Sequence, residues 1–214
     1  MDIARKSISL ERESTGRRPY YIVISSEDTY ATVQYFSVIK DTRVKIKILE
    51  TTDGRSAPKH VVERLREYVD DRKMNDNHME GDQYWLTIDH DNRREDELLE
   101  AIILANRHRF HIAISNPSFE VWLLFHIDEV NYDVNSAAVA KQLLKRKCGG
   151  YNHTNIRPER FASGISDARL LTAVERARNR DTAPDKPWPD SPGTRVYRII
   201  EEITKRCPEP YINR

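Results

Sequence analysis

The stretch YWLTIDHD, Tyr84 to Asp91, decides the fold class. An apolar, β-branched and aromatic run ends at Ile88 and delivers two carboxylates, Asp89 and Asp91, with one residue between them. The run reads as a buried strand and the acids as the start of its loop. Upstream, YYIVIS (Tyr20–Ser25) has the same character, and VKIKILE (Val44–Glu50) alternates. Downstream, FHIAIS (Phe110–Ser115) supplies a fourth run. Helical periodicity falls between them: Val33, Phe36 and Ile39; then Val61, Leu65 and Tyr68 behind Pro58; then NRREDELLEAIILANRH. Strand and helix alternating four times predict an α/β fold with a mostly parallel four-stranded sheet covered by helices on both faces.

SFEVWLLFHI follows the fourth strand as a short apolar helix, with Ser118 in position to cap it. Beyond residue 134 the pattern becomes purely helical, in SAAVAKQLLKRKC, ISDARLLTAVERARN and PGTRVYRIIEEITKRC. A proline-rich connector, RDTAPDKPWPDSPGT, separates the last two. The expected organisation is a basic lead over 1–19, an α/β domain over 20–134, and a helical basic region over 135–214 packed on it.

Net charge is +1 over 214 residues, but it is unevenly placed. Residues 1–134 hold 19 Lys and Arg against 25 Asp and Glu, net −6, and residues 135–214 hold 16 against 9, net +7. Such a division suits a cation-binding half joined to a polyanion-binding half, or two oppositely charged surfaces that attract each other. No apolar run approaches the ~20 residues a membrane helix needs, and the charged N-terminus lacks the apolar core of a secretory signal. Cys148 and Cys207 lie far apart, outside metal-ligand spacing, and read as thiols of a reducing cytoplasm. Neither a Gly-rich phosphate loop nor a Cys/His quartet is present.

In an open α/β sheet, ligands bind beyond the carboxyl ends of the strands. Glu27 lies just past the first strand, Asp89 and Asp91 past the third, and Glu120 past the fourth. Clustered carboxylates repel one another unless a cation neutralises them, and such hard oxygen donors suit Mg²⁺ or Mn²⁺. Each acid alone has a simpler reading: a D-x-D pair in a polar turn is most often solvated or a cap. Glu27 alone compensates a helix dipole. Glu120, among large apolar groups, needs a partner, which is either an internal salt bridge or a metal.

Taken together, IVISSEDTYATVQYF, LTIDHDNR, IAISNPSFEVWLLFHI and WPDSPGTRVYRIIEEI resemble the RloB-like family, a group of Toprim-fold proteins of bacterial phage defence. The most specific element is the S-N-P-x-F-E-x-W-L-L-x-H block, Ser115 to His126; a weaker one is P-x-T around Pro192 and Thr194. The resemblance implies a Toprim/Rossmann-like fold with a helical C-terminal extension, and metal-dependent phosphodiester chemistry. Asp89 and Asp91 would hold Mg²⁺ (or Mn²⁺), Glu120 would be a further ligand or its orienter, and Glu27 would ligate or move a proton. It also implies an ATPase partner, an RNA substrate with tRNA among the candidates, and an abortive-infection role. The chain departs from the family at Ser25-Ser26-Glu27-Asp28-Thr29-Tyr30, where E-G-E-K-T-E is usual, and at Arg93, where a histidine is common. A catalytically degenerate module that binds nucleic acid or an ATPase is the alternative these departures leave open.

If the site is live, Arg93 is placed to steady charge on phosphoryl oxygens. Lys145, Arg146, Lys147, Arg157 and Arg160, with Arg176, Arg178 and Arg180, are the candidate phosphate-backbone contacts. Tyr151 and Trp188 are candidates for stacking on splayed bases. The sequence leaves RNA against DNA, the activating signal and homo-oligomerisation open.

Overall fold

The computed structural model describes residues 18–51, 54–75, 77–91, 94–130 and 133–207. Seven helices and five strands run in the order β1 (Tyr20–Ser26), α1 (Ala31–Ser37), β2 (Val44–Leu49), α2 (Pro58–Met74), β3 (Gln83–Asp89), α3 (Glu95–Arg107), β4 (His111–Asn116), α4 (Glu120–Phe125), α5 (Ala137–Lys147), α6 (Ala168–Arg180), β5 (Gly193–Thr194) and α7 (Val196–Arg206) among the described residues. Side-chain alternation assigns the two faces of the sheet. Ile22, Ile24, Trp85 and Ala113 point into one core, built with residues of α1 and α4–α7. Val23, Leu86, Ile88 and Ile114 point into a second core beneath α2 and α3. The larger core joins Ile22 of β1 to Leu144, Val174 and Ile203, so the region beyond residue 134 packs into the same core as the first strand.

Strand order is β2-β1-β3-β4-β5. The first three pairings are parallel, as the crossover helices require, but β5 runs antiparallel to β4 with Thr194 opposite Ser115. The sheet is therefore five-stranded and mixed rather than four-stranded, and the C-terminal region is not purely helical. Two residues cannot show the period-2 pattern by which strands are read. What selects Gly193 is space: a Cβ there would lie 2.5 Å from the carbonyl oxygen of Asp190. The Ser115 and Thr194 hydroxyls, 2.8 Å apart, join the two family blocks across this pairing.

Local chemistry explains three of the helix starts. Pro58 opens α2 at its first turn, where no N–H is needed. Ser136 caps α5 and Asp167 caps α6. Ser118 does not cap α4; its hydroxyl donates to the Glu120 side chain at 2.7 Å instead. Cys148 and Cys207 are free thiols. Among the described residues, no helix is long and apolar enough to cross a membrane.

Candidate functional site

β1, β3 and β4 all end at the same edge of the sheet, because parallel strands share a direction. Past β1, the Glu27 N–H donates to the carbonyl of Thr87 at 3.0 Å, so strand-like pairing carries Glu27 alongside β3. There Glu27 Oε2 accepts the Asp89 N–H at 3.2 Å. Asp28 turns back on the chain, its carboxylate accepting the N–H groups of Thr32 (2.8 Å) and Tyr30 (3.2 Å) at the start of α1. Asp89 ends β3 and accepts the Phe119 N–H at 2.9 Å. Glu120, the first residue of α4, is buried at 4% exposure and has three partners. Ser118 donates to one oxygen, the Tyr151 hydroxyl donates to the other at 3.1 Å, and the Lys141 ammonium lies 3.7 Å from it.

These groups meet around one cavity of about 180 Å³, lined by Glu27, Asp28, Asp89 and Glu120 together with Phe119, Lys141 and His153. Burial first, and then the charges of Glu27, Glu120 and Asp28, push the Asp89 carboxyl well above the ordinary carboxylate range. Lys141 is the cation among the lining residues that sits beside an acid. A hard divalent ion is the natural counter-charge for such oxygens. Among the described residues, however, no three His, Cys, Asp or Glu side chains are grouped to hold an ion by themselves. The donor set therefore fits a Mg²⁺-type site, in which one or two carboxylates act with waters and substrate oxygens, rather than a closed protein cage. Glu27 and Asp89 stand side by side in it, joined through the Asp89 N–H.

Asp91 is not among the residues lining the cavity. Its N–H donates to the Pro117 carbonyl at 2.8 Å, and the His90 N–H donates to Ser115 at 2.8 Å. The loop after β3 thus continues the ladder against the S-N-P turn, whose Asn116-Pro117 bond is cis. Arg93 lies outside the described residues.

The basic residues separate into two groups. Arg160 donates to the carbonyl of Gly150 at 2.9 Å, and Arg176 to Phe125 at 2.9 Å. Arg178 pairs with Glu201, Arg180 donates to the Pro192 carbonyl, and Lys147 pairs with Asp128 at 2.5 Å. These side chains hold the molecule's own backbone and acids. Lys145, Arg146 and Arg157 are exposed. Tyr151 turns inward, packing on the larger core and holding Glu120; burial and the Glu120 charge push its hydroxyl far above its ordinary value. Trp188 is half-buried against the second core, 5.0 Å from the His90 ring.

Sequence reading missed two groups that line the cavity, Lys141 and His153, and one packed beside it, Tyr30. Lys141 is one of several lysines on an amphipathic helix, and His153 stands in a polar loop, so neither carried a signal. Tyr30 was noted only as a departure from the family's first motif. Two buried networks were missed as well. His126 Nδ1 lies 2.9 Å from the Trp122 carbonyl, which can only accept, so Nε2 accepts the Tyr35 hydroxyl at 2.9 Å. Asp181, also buried, takes Arg195, the Tyr197 hydroxyl and Arg198, tying the proline-rich connector to α7.

No curated protein and no solved structure matches the chain. The family model described as RloB-like protein matches residues 21–203, from β1 through most of α7. That span includes both sequence blocks joined by Ser115 and Thr194 and every acid lining the cavity, and the chain belongs to the RloB-like family.

Proposed function

We propose that the protein is a metal-dependent nuclease of a bacterial anti-phage system of the abortive-infection kind. It would cleave phosphodiesters in RNA, tRNA among them, or in DNA, on a Toprim-like scaffold that works with an ATPase partner. One observation carries the reading: acids from three separate segments, Glu27 and Asp28, Asp89, and Glu120, share a cavity at the carboxyl edge of the sheet, where burial and then the neighbouring charges raise the pKa of Asp89. A bound Mg²⁺ or Mn²⁺ would supply Lewis-acid polarisation of a phosphoryl oxygen and a more acidic water. Glu27 and Asp89 would hold it. Glu120, fixed by Ser118 and Tyr151, keeps the α4 end of the cavity in place, and Lys141 neutralises charge on a non-bridging oxygen. Glu27 is also placed to take a proton from the attacking water.

The test is a cleavage assay with purified protein, end-labelled tRNA and a DNA oligomer, in EDTA and in Mg²⁺ or Mn²⁺. Metal-dependent cleavage that is lost in Asp89→Asn supports the enzyme. Absence of cleavage with every metal and both substrates removes it.

A second reading has its own support. Asp28 is engaged in capping α1, Glu120 is already paired, and no three-ligand group stands ready among the described residues. These features suit a catalytically degenerate module that binds nucleic acid or an ATPase and regulates it. Binding without cleavage in the same assay selects this reading.

A further inference from the structure

The acid cavity is small, and an exposed aromatic side chain packs against one of the residues that line it. Tyr30, directly after the Asp28 turn, is 46% exposed, one of few large side chains so placed. Its ring meets His153 edge to face, with centroids 5.5 Å apart at 84°. His153 lines the same cavity as Glu27, Asp89 and Glu120. The pair is held in position from both sides. The Tyr30 N–H donates to Asp28, and the Tyr30 carbonyl accepts from Gln34 within α1. The His153 turn closes through the Asn155 N–H to the Asn152 carbonyl at 2.9 Å. Gln34 then clamps that turn twice, donating to the Thr154 carbonyl at 3.0 Å and accepting the Ile156 N–H at 3.1 Å. An exposed aromatic therefore sits on a braced platform beside the carboxylates rather than on a loose loop.

Lys141 also lines the cavity, with 45% of its side chain exposed and its ammonium 3.7 Å from Glu120. A cation and an aromatic pair beside one recess offer partners for one repeating unit of a nucleic acid strand: Lys141 for the phosphate and the Tyr30 ring for the base. A volume of about 180 Å³ is below the several hundred Å³ of a typical ligand pocket. In a duplex the base faces are stacked on their neighbours, so a ring beside the phosphate has nothing to contact. In a single strand they are free, and aromatic side chains take them up without regard to sequence.

We infer that the site takes single-stranded nucleic acid, with the base next to the bound phosphate stacked on Tyr30 where it is braced by His153, and with Lys141 on the phosphate. This rests on the nuclease or nucleic-acid-binding reading for its location, but it names a feature that binding alone can test. Tyr30 and Lys141 are positioning residues: neither is assigned a bond-making step.

The experiment measures binding in full-length protein carrying Asp89→Asn, so that cleavage does not interfere, using fluorescence anisotropy. The probes are a 12-nucleotide single-stranded RNA, the same sequence as DNA, and the RNA annealed to its complement. The expected result is tighter binding of either single strand than of the duplex. In that background Tyr30→Ala lowers single-strand affinity about ten-fold or more, the scale of one base–aromatic stack, while Tyr30→Phe restores it. Lys141→Met lowers the salt slope by about one, the loss of one phosphate contact. Circular dichroism checks that each variant is folded. Duplex binding as tight as single-strand binding, or a Tyr30→Ala variant that binds as its parent does, overturns the inference. A failed cleavage assay leaves it standing, and intact cleavage with no single-strand preference removes it alone.

Discussion

Replacing His126 with glutamine should flatten the response of stability to acid. The ring is 7% exposed, between the Trp122 carbonyl and the Tyr35 hydroxyl, and edge-on to Trp122 and Phe161. Burial lowers its pKa to about 4, the charged form being shut out of a dry site. In the unfolded chain it titrates near 6.5, so between the two values the unfolded state binds the extra proton and stability falls as pH falls. At pH 5 the unfolded imidazole is nearly all charged and the folded one only about a tenth, which weakens the fold by about 2 kcal/mol relative to pH 8. For a chain of this size that is about 4–8 °C in Tm. Asp89 acts the opposite way: its raised pKa means the folded state takes up a proton first, so its contribution improves as pH falls. The wild-type curve mixes both, and the informative quantity is the gap between wild type and His126→Gln. By scanning fluorimetry from pH 8 to pH 5, wild type should lose about 4–8 °C relative to the variant. A gap that stays constant across that range would refute the buried neutral imidazole, and with it the placement of this histidine in the core rather than in the chemistry.

Three further outcomes follow from the same structure. Mn²⁺ at a hundred times its Kd should stabilise wild type by about 2.7 kcal/mol, or about 5–11 °C, and should leave Asp89→Asn unmoved; an equal rise in both places the ion elsewhere. Arg195→Met strips the buried Asp181 of its more deeply buried cation and should lower stability by about 3–5 kcal/mol in urea unfolding, whereas a loss under 1 kcal/mol would show that Arg198 and Tyr197 suffice to hold that carboxylate. Tyr151→Phe leaves Glu120 with Ser118 and Lys141 alone and should reduce cleavage far more than it lowers Tm; an equal fall in both would make the hydrogen bond structural only.

The sheet could be read in the sequence because its strands are buried on both faces. β1, β3 and β4 appear as near-continuous apolar runs, and a parallel sheet needs helices between them. The edge where ligands gather follows from that topology alone, which is why Glu27, Asp89 and Glu120 could be named before their contacts were known. Asp91 shows where this logic stops. Its position follows from strand periodicity, but the role of its backbone depends on the Pro117 carbonyl, twenty-six residues away and joined only by folding. β5 escaped for a related reason. Gly193 and Thr194 are selected by the Asp190 carbonyl and the Ser115 hydroxyl, contacts that leave no period in the chain.

The charge asymmetry was legible but its meaning was not. An excess of Lys and Arg beyond residue 134 suggested a polyanion surface, yet Arg160, Arg176, Arg178, Arg180 and Arg195 are engaged inside the molecule. A guanidinium carries five donors in a fixed fork, so one arginine can satisfy several carbonyls of a proline-rich segment that has no ladder of its own. Arg195 does this for Ala183, Lys186 and Pro187 at once. Removing those side chains would therefore weaken nucleic acid binding by loosening the fold, whereas the exposed Lys145, Arg146 and Arg157 can report on phosphate contact by their charge. Lys145→Glu with Arg146→Glu should thus lower the salt slope of strand binding by about two without changing Tm, since one phosphate contact is lost for each cation. A slope that stays at the wild-type value would move the strand to another face and leave the excess charge as structure.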